Sequence, residues 1–330
     1  MGLALYFTQT EHEPQVWGSL DSDWAEQMRE SYARLGGAEH RIVGRAEAAD
    51  LIVFWEPHQD RQAVWAPNLR AHPLVREHPD RVFVVSVEDH PLGFLPGLYS
   101  SLPRHRFDPR RHRTCFYHRT PNPGVETARR DHEPALLATF VGAPSHPLRE
   151  WFFARAAELR GDGIAVHRSQ RGRFNSDPGD PALEQERRAY VDAILDAKFS
   201  LCLRGNGVGT FRLQESLALG RAPVIVSDEW VPVSGPEWER FAVFVAERDV
   251  SSLPRILREH EPRWREMGEL ARDAYLRFFA NQSYLRHAIE QIALLYRRRD
   301  HDERRIVVQW NEWIAAERHR RGGFEVARAF

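Results

Sequence analysis

Short apolar runs alternate with amphipathic segments along the first part of the chain. Runs typical of buried strands occur at 3–7, 42–44, 50–55 and 81–87, and residues 22–35 have the spacing of an amphipathic helix. Short strands separated by helices are typical of a parallel, doubly wound sheet. The pattern therefore predicts an α/β domain in this part of the chain.

Residues 88–133 break this pattern. The stretch is rich in Pro, Arg and His and shows little periodicity. We therefore predict irregular structure there that lines a cleft between two domains.

A second series of strand and helix patterns begins at residue 135. Its apolar runs predict strands at 135–142, 164–168, 198–205, 222–228 and 241–245. Its amphipathic segments predict helices at 148–159, 184–197, 211–220, 251–259, 263–279 and 283–298. Two such blocks predict two Rossmann-like, doubly wound domains that face each other across a cleft.

The predicted domains are an N-terminal Rossmann-like unit over 1–133 and a C-terminal Rossmann-like unit over 134–285. The segment 286–330 is expected to pack back on the first unit. This placement rests on analogy with other two-domain proteins and not on the residue pattern. A chain of 330 residues is long for a single hydrophobic core and suits two α/β domains.

Composition and charge narrow the function classes. Hydrophobic residues make up 42% and charged residues 28%, as in ordinary globular proteins, and the formal net charge of −1 argues against a dedicated nucleic-acid binder. The two cysteines, Cys115 and Cys202, exclude a disulfide scaffold and a thiolate zinc site, and both are expected to be buried. The mixed-charge stretch 297–305 is interpreted as a solvated helix face.

The start of the chain and the length of its apolar runs predict the cellular compartment. The first residues lack a basic region followed by a signal-length apolar core, so they are interpreted as a β-strand. No run approaches the roughly 18 apolar residues that cross a bilayer, so no transmembrane segment is expected. The predicted location is cytoplasmic.

The segment KFSLCLRGNGVGTFRLQESLALGRAPVIVSDEW, residues 198–230, carries the most specific chemistry. A predicted strand leads through Gly205, Gly207 and Gly209 directly into a predicted helix. Glycines let a backbone approach a ligand closely, and the start of a helix presents free amide groups that bind anions. The turn is therefore a candidate diphosphate site.

Charged residues flank this turn. Arg204 and Arg212 lie on either side of it, where both could neutralise phosphate. Glu215 follows Arg212 by three positions on the same helix face, where a carboxylate could accept hydrogen bonds from ribose hydroxyls. A surface ion pair between Arg212 and Glu215 beside an ordinary loop is the alternative.

Two other glycine-rich motifs fit this turn less well. A dinucleotide fingerprint would begin at Gly205 and Gly207, but its third glycine falls at Thr210, and the strand comes late in its domain. A phosphate loop of the Walker type would need a Gly-Lys-Ser/Thr run, which the turn lacks.

The segment resembles the nucleotide-binding domain of the exostosin-like glycosyltransferases, glycosyltransferase family 47. That family carries a run of the form F-x-L-C-x-R-G-x-G-x-x-x-x-R-L-x-E-A-L-x-x-G-x-x-P-V-I-x-x-D-x-W. The residues that match it here are Phe199, Leu201, Cys202, Arg204, Gly205, Gly207, Arg212, Leu213, Glu215, Leu217, Gly220, Pro223, Val224, Ile225, Asp228 and Trp230.

The resemblance extends over 134–260 and is faint before residue 134. Upstream, the strand over 136–142 and the following Arg149 fit it. Downstream, Trp238, the apolar run 241–245 and the pair Glu247 and Asp249 also fit. Departures from the family's usual residues are Ser216 for Ala, Thr210 for Ser, and 231–233 (Val-Pro-Val) for Leu-Pro-Phe.

The resemblance implies an α/β fold of the GT-B architecture. The C-terminal domain, 134–285, would bind the nucleotide sugar, and the N-terminal domain, 1–133, would bind the acceptor. It implies inverting transfer from a UDP-sugar donor to a hydroxyl of a glycan or small-molecule acceptor, with no further cofactor. In its terms Arg204 and Arg212 hold the diphosphate, Glu215 holds the ribose and Asp228 belongs to the nucleotide site. The helix N-terminus near Thr210 would stabilise the leaving UDP.

Inversion needs a general base, which the N-terminal half should supply at the end of a strand. Glu88-Asp89-His90 directly follows a predicted strand and is the favoured candidate. Glu56 with His58, and the run 11–13 (Glu-His-Glu), follow other strands in the same way. Helix caps or pairing with arginines are the alternative roles for these acids.

No metal site is expected. The one nominal Asp-x-Asp, 21–23, precedes a helix and follows no apolar strand, so it is interpreted as a helix N-cap. Arginines and a helix dipole are expected to stabilise the leaving group instead. A non-catalytic nucleotide-sugar or glycan-binding protein of the same fold, and a nicotinamide-dependent oxidoreductase, are the competing functions.

Overall fold

The structure is a computed structural model of the 330-residue chain. It describes residues 2–10, 24–56, 69, 71–117, 122, 124–127, 133–169, 181–299 and 303.

The N-terminal half contains a sheet of six parallel strands in the order β2-β1-β3-β4-β5-β6. Its strands are β1 (Ala4–Thr8), β2 (Arg41–Ile42), β3 (Leu51–Glu56), β4 (Val82–Ser86), β5 (Gly97–Tyr99) and β6 (His112–Thr114). Every residue of β3 and of β4 is buried, as expected for central strands that are covered by helices on both faces.

The C-terminal half contains a sheet of five parallel strands in the order β11-β10-β9-β7-β8. Its strands are β7 (Leu136–Gly142), β8 (Ile164–Arg168), β9 (Ala197–Leu203), β10 (Ala222–Val226) and β11 (Val243–Phe244). Both sheets begin with the same doubly wound strand order, since the first strand of each lies between its second and its third. The predicted α/β class with two doubly wound sheets is confirmed.

Helices connect the strands. They are α1 (Trp24–Ala33), α2 (Pro73–Glu77), α3 (Gly124–Thr127), α4 (Pro147–Ala154), α5 (Ala156–Gly161), α6 (Pro181–Leu195), α7 (Phe211–Ala218), α8 (Leu253–His260), α9 (Trp264–Ala274) and α10 (Asn281–Arg298). Within the described part of the chain, no helix has the length and apolar character that crossing a membrane requires.

The prediction of irregular structure over 88–133 is wrong in two places, where β5 and β6 extend the first sheet. Both strands have three residues, too few to show a period in the sequence. Gly97 lets β5 lie close to β4, because a Cβ at this position, with its φ of 154°, would stand 2.0 Å from the Val84 carbonyl oxygen.

Two predicted helices are also interrupted. The helix over 148–159 is divided into α4 and α5 at Arg155. The helix over 263–279 ends as α-helix at Ala274 and continues as a π-helical turn, Tyr275–Phe279. Such interruptions arise where tertiary packing takes precedence over local helix propensity.

Helix α10 returns to the N-terminal half. Arg286 donates from Nη2 to the Gly36 carbonyl at 2.7 Å and from Nη1 to the Gly37 carbonyl at 3.1 Å. The ring of Tyr296 lies edge-on to Phe83 with a centroid distance of 6.3 Å. The domain boundaries at 133/134 and 285/286 themselves stay predictions.

A buried ion pair fastens the chain beyond α10. Arg111 donates from Nε and Nη2 to the two oxygens of Glu303 at 3.0 and 2.8 Å, and the two side chains are only 6% and 4% exposed. A third Arg111 bond goes to the Phe94 carbonyl at 2.6 Å. The pair therefore joins residue 303 to the edge of the first sheet.

Replacing Glu303 with Gln is expected to lower the free energy of unfolding by about 3–5 kcal/mol, because the buried Arg111 charge loses its partner. Glu39 provides the control: it pairs with Arg297 of α10 at 3.0 Å, but the side chains are 42% (Arg297) and 56% (Glu39) exposed. Glu39→Gln should cost less than about 1 kcal/mol. Denaturant unfolding of both variants checks this, and equal losses would contradict it.

Candidate functional site

The carboxyl ends of β7 and β9 lie side by side in the second sheet, where the strand order reverses. This is the place where doubly wound sheets bind ligands. Residues 204–210, called here the glycine-rich turn, follow β9 and lead into α7. The predicted site residues of the C-terminal half are therefore brought to the expected edge of the sheet.

Arg149, on α4, joins the two strand ends. Its Nε donates to the Arg204 carbonyl at 2.8 Å and its Nη2 to the Leu203 carbonyl at 2.9 Å. Nη1 donates to Ser145 Oγ at 3.0 Å. Burial, and then the nearby Arg212 charge, lower the pKa of Arg149 to about 9, so the group is still charged at neutral pH.

Arg212, in the first turn of α7, is 6% exposed. Its guanidinium lies 4.5 Å from the centre of the Phe140 ring and 5.7 Å from that of Tyr190. Its buried Nε has no hydrogen-bond partner among the residues that the structure describes. A buried cation with an unsatisfied donor, next to the second cation Arg149, is the electrostatic pattern of an anion site.

Glu215, one turn further along α7, is also buried. The Tyr190 hydroxyl, on α6, donates to its Oε2. Burial raises the pKa of Glu215 above its usual value, while the Tyr190 hydrogen bond and the Arg212 charge act in the opposite direction. Tyr190 therefore orients a carboxylate that lies beside the Arg212 charge.

Arg204 lies at the start of the glycine-rich turn, and an ion pair with Glu247 holds its side chain. Its Nη1 is 3.6 Å from Glu247 Oε1. Glu247 in turn accepts from the Asp228 amide at 3.2 Å, and the Glu247 amide donates to Asp228 Oδ1 at 3.0 Å. Asp228 is exposed and is connected to Arg204 through Glu247.

Helix α7 begins at Phe211 with Thr210 as its N-cap residue. The Thr210 backbone is extended, and within the described residues its side chain makes no capping hydrogen bond. First-turn amides that no cap satisfies, with the positive end of the helix dipole, complement a negative group. His146 caps α4 nearby through a bond from the Leu148 amide, and burial, then the Arg204 charge, lower its pKa.

The glycines of the turn face the N-terminal half. A Cβ at Gly207 would stand 2.4 Å from Ser101 Oγ and 2.7 Å from the Asp89 carbonyl oxygen. The Gly209 amide donates to Ser101 Oγ at 3.0 Å. The close approach that requires glycine at 207 is therefore made by the other half of the protein, whereas Gly205 lies against Arg149 and Ser145.

Asp89 follows β4 and lies at this contact. The buried Tyr117 hydroxyl donates to Asp89 Oδ1 at 2.8 Å and lies 2.9 Å from Ser101 Oγ. The Tyr117 ring stacks on Phe211 with a centroid distance of 4.1 Å. Burial, and then the Asp89 charge, raise the pKa of Tyr117 well above its usual value, so the hydroxyl keeps its proton.

The other proposed acids occupy different environments. Glu88 is buried and its amide donates to Ser86 Oγ at 3.4 Å, whereas His90 is exposed. Glu56 is buried and accepts from the Thr10 amide and hydroxyl at 3.0 and 2.9 Å, so it joins the ends of β1 and β3. His58 and the runs 11–13 and 21–23 lie outside the described residues.

Several residues of this site escaped the sequence analysis. Ser101, Tyr117, Tyr190 and His146 belong to no motif, and each reaches the site from a different element. Outside the glycine-rich segment, the resemblance indicated Arg149 upstream and Glu247 downstream. For a Tyr on an amphipathic helix, or a Ser in a Pro-rich stretch, the local sequence does not indicate which residue it will contact in the folded protein.

Comparisons with known proteins support one family. The profile of the Exostosin GT47 domain matches residues 6–260. The Exostosin-1 homolog of Caenorhabditis elegans is 40% identical over 100 residues, covering 28% of this chain and 26% of that protein. The probable glucuronosyltransferase GUT1 of Oryza sativa subsp. japonica is 37% identical over 86 residues, covering 26% and 21%. The chain thus spans about a quarter of the length of these relatives.

Among solved structures, TarM of S. aureus is similar at a low level. A TarM variant in complex with fondaparinux, α-GlcNAc-glycerol and UDP aligns with 10% identity and a TM-score of 0.38, over 77% of this chain and 52% of that one. The profile match is much broader than these local identities, since it extends from β1 to the end of α8. On that match, the chain belongs to the exostosin GT47 family of glycosyltransferases.

Proposed function

We propose that the protein transfers a sugar from a UDP-sugar to a hydroxyl of a glycan or small-molecule acceptor, with inversion at the anomeric carbon and without a metal ion. The observation that carries the proposal is the pair of buried guanidinium groups, Arg149 and Arg212, beside the N-terminus of α7. This edge of the sheet offers two positive charges and a helix dipole to one anion.

In this proposal the diphosphate binds against Arg204 and Arg212 at the start of the glycine-rich turn, beside Gly205. Gly207 and Gly209, which the sequence also placed in the nucleotide site, are in contact with Asp89 and Ser101 instead. The first amides of α7 after Thr210 stabilise the charge that develops on the leaving UDP. Arg149 holds the end of β9 through the Leu203 and Arg204 carbonyls. It holds the segment after β7 through the Ala143 carbonyl and Ser145 Oγ. Preorganised cations and amides supply the charge stabilisation that a metal ion gives in other transferases.

Glu215 is the proposed partner of the ribose hydroxyls, oriented by Tyr190. Asp228 acts in the nucleotide site through Glu247, which orients Arg204. Both carboxylates therefore serve the nucleotide site, by direct contact or by orienting a cation.

Asp89 is the proposed general base, since it stands on the other half of the protein at the contact with Gly207. The acceptor oxygen attacks the anomeric carbon while the bond from that carbon to the UDP oxygen breaks. The bonding electron pair leaves with UDP, and the acceptor's proton passes to the Asp89 carboxylate. A single carboxylate opposite the leaving group suits a single in-line displacement, which inverts the anomeric carbon.

Calorimetric titration with UDP, GDP, dTDP and NAD tests the donor site. We expect UDP to bind and Arg204→Ala to weaken it at least tenfold, because a charged hydrogen bond to phosphate is lost. Arg248→Ala is the matched control, since Arg248 is 87% exposed and pairs only with Asp249 among the described residues. Binding of GDP or dTDP alone would change the donor, and no binding of any nucleoside diphosphate would favour a glycan-binding protein.

Product analysis tests the reaction. UDP-glucuronic acid is a reasonable first donor, given the glucuronosyltransferase named among the relatives, with UDP-glucose beside it. An α-configured donor should give a β-linked product, which the anomeric proton coupling in NMR reports. An α-linked product would refute inversion, and loss of transfer in EDTA would refute metal independence.

A further inference from the structure

A chain of hydrogen bonds crosses between the two halves at the candidate site. It runs from the Gly209 amide to Ser101 Oγ (3.0 Å), from Ser101 Oγ to Tyr117 Oη (2.9 Å), and from Tyr117 Oη to Asp89 Oδ1 (2.8 Å). Gly209 belongs to the glycine-rich turn, and the other three residues belong to the N-terminal half. The chain thus connects the start of α7 with the carboxylate that stands opposite it.

The direction of every bond in this chain is determined by its two ends. The amide of Gly209 can only donate, so Ser101 Oγ accepts there and has its own proton to give. The Asp89 carboxylate accepts, so the Tyr117 hydroxyl gives its proton to Asp89 and accepts from Ser101. All donors therefore point one way, toward Asp89, and such a chain polarises each bond along it.

The Tyr117 ring is fixed as well as its hydroxyl. It stacks on Phe211, the first residue of α7, at a centroid distance of 4.1 Å and an interplanar angle of 27°. Tyr117 is 4% exposed, so the ring has no freedom to swing its hydroxyl away. Ring stacking and hydrogen bonds together therefore fix the position of Asp89 relative to the start of α7.

We propose that Tyr117 is a positioning residue, which holds the Asp89 carboxylate ionised and aimed at the donor sugar through its hydroxyl, with Ser101 linking that hydroxyl to Gly209. The inference rests on the proposed function, in which Asp89 is the base. It deepens that function by making the geometry of the base depend on the nucleotide-binding half. In this role Tyr117 contacts neither the reacting atoms nor the donor sugar.

The test is Tyr117→Phe, which keeps the ring stacked on Phe211 and removes only the hydroxyl. Tyr99→Phe is the matched control, because the Tyr99 hydroxyl is equally buried but donates to the Leu95 carbonyl at 2.6 Å. Carbon-13 NMR of Asp-labelled protein, with Asp89→Asn to assign the signal, measures the Asp89 pKa directly. The pH profile of kcat/KM measures it a second time through activity.

We expect Tyr117→Phe to raise the measured Asp89 pKa by about one unit, since a hydrogen bond to the charged form is lost. We also expect kcat to fall about tenfold to a hundredfold, with the donor KM near its wild-type value. Ser101→Ala should shift the Asp89 pKa in the same direction by less. Tyr99→Phe should leave both the Asp89 pKa and the pH profile unchanged.

An unchanged Asp89 pKa in Tyr117→Phe would overturn the inference, even if the variant unfolds more easily. An equal shift in Tyr99→Phe would overturn it too, because the effect would then follow from any buried hydroxyl. The NMR measurement needs no catalysis. A shifted Asp89 pKa in a protein that transfers no sugar would therefore support the positioning role and count against the proposed function alone.

Discussion

Replacing Arg212 with Met is expected to weaken UDP binding about a hundredfold while leaving thermal stability unchanged or raised. The loss follows because charged hydrogen bonds to phosphate contribute about 1.5–3 kcal/mol each, and about 1.4 kcal/mol is a factor of ten. Stability is retained because the guanidinium is buried with Nε unsatisfied among the described residues and repels the nearby charge of Arg149. Glu215 loses a neighbouring cation but keeps its hydrogen bond from Tyr190. An apolar side chain of similar length removes a desolvated charge.

Arg221→Met is the matched control for this prediction. Arg221 is 3% exposed, but it donates from Nη2 to the Leu195 carbonyl at 2.7 Å. Its removal leaves that carbonyl without this donor and should cost about 1–3 kcal/mol, with UDP binding unchanged. Calorimetric titration and thermal unfolding of both variants check the pair. If Arg212→Met lowered stability as much as Arg221→Met does, Arg212 would be a structural cation rather than part of an anion site.

Replacing Asp89 with Asn is expected to reduce kcat by a factor of about 10²–10⁴, the usual contribution of a general base. UDP affinity should remain within about twofold of wild type, because the diphosphate contacts lie on the other half of the protein. Asn keeps the size of the side chain and can still accept from the Tyr117 hydroxyl. Transfer kinetics together with UDP titration separate the two effects.

The neighbours of Asp89 test the assignment of the base. Glu88→Gln and His90→Ala replace the other two candidates for the base in the sequence run 88–90. Because Glu88 is buried and His90 exposed, we expect Glu88→Gln to act mainly on stability and His90→Ala to have the smallest effect on kcat. A larger loss of kcat in either variant than in Asp89→Asn would move the base to that residue.

The nucleotide-binding residues were accessible to sequence reasoning because they are close along the chain. Arg204, Arg212 and Glu215 lie on one strand-turn-helix unit, whose geometry is local and whose residue spacing is specific. The same holds for the two α/β halves, since strand and helix periods are set by a few neighbouring residues. The family relationship followed from the same short segment.

The short strands β5 and β6 could not be found in this way, because pairing with β4 and not local propensity makes them strands. The sequence likewise did not determine which group lies against the backbone of Gly207. Sequence indicates that the backbone is approached closely there, but only the fold shows that Ser101 and Asp89 make the approach. In the same way, the pairing of Arg111 with Glu303 joins residues 192 positions apart.

By itself, the sequence determined the two doubly wound halves, the glycine-rich turn with its flanking cations, and the family, because each of these is written in contiguous residues. The tertiary structure alone decided that Arg212 is buried, and that Tyr117 and Ser101 join Asp89 to the start of α7. Burial and hydrogen bonding between distant residues depend on how the two sheets pack. That packing is a property of the whole chain, and no local pattern encodes it.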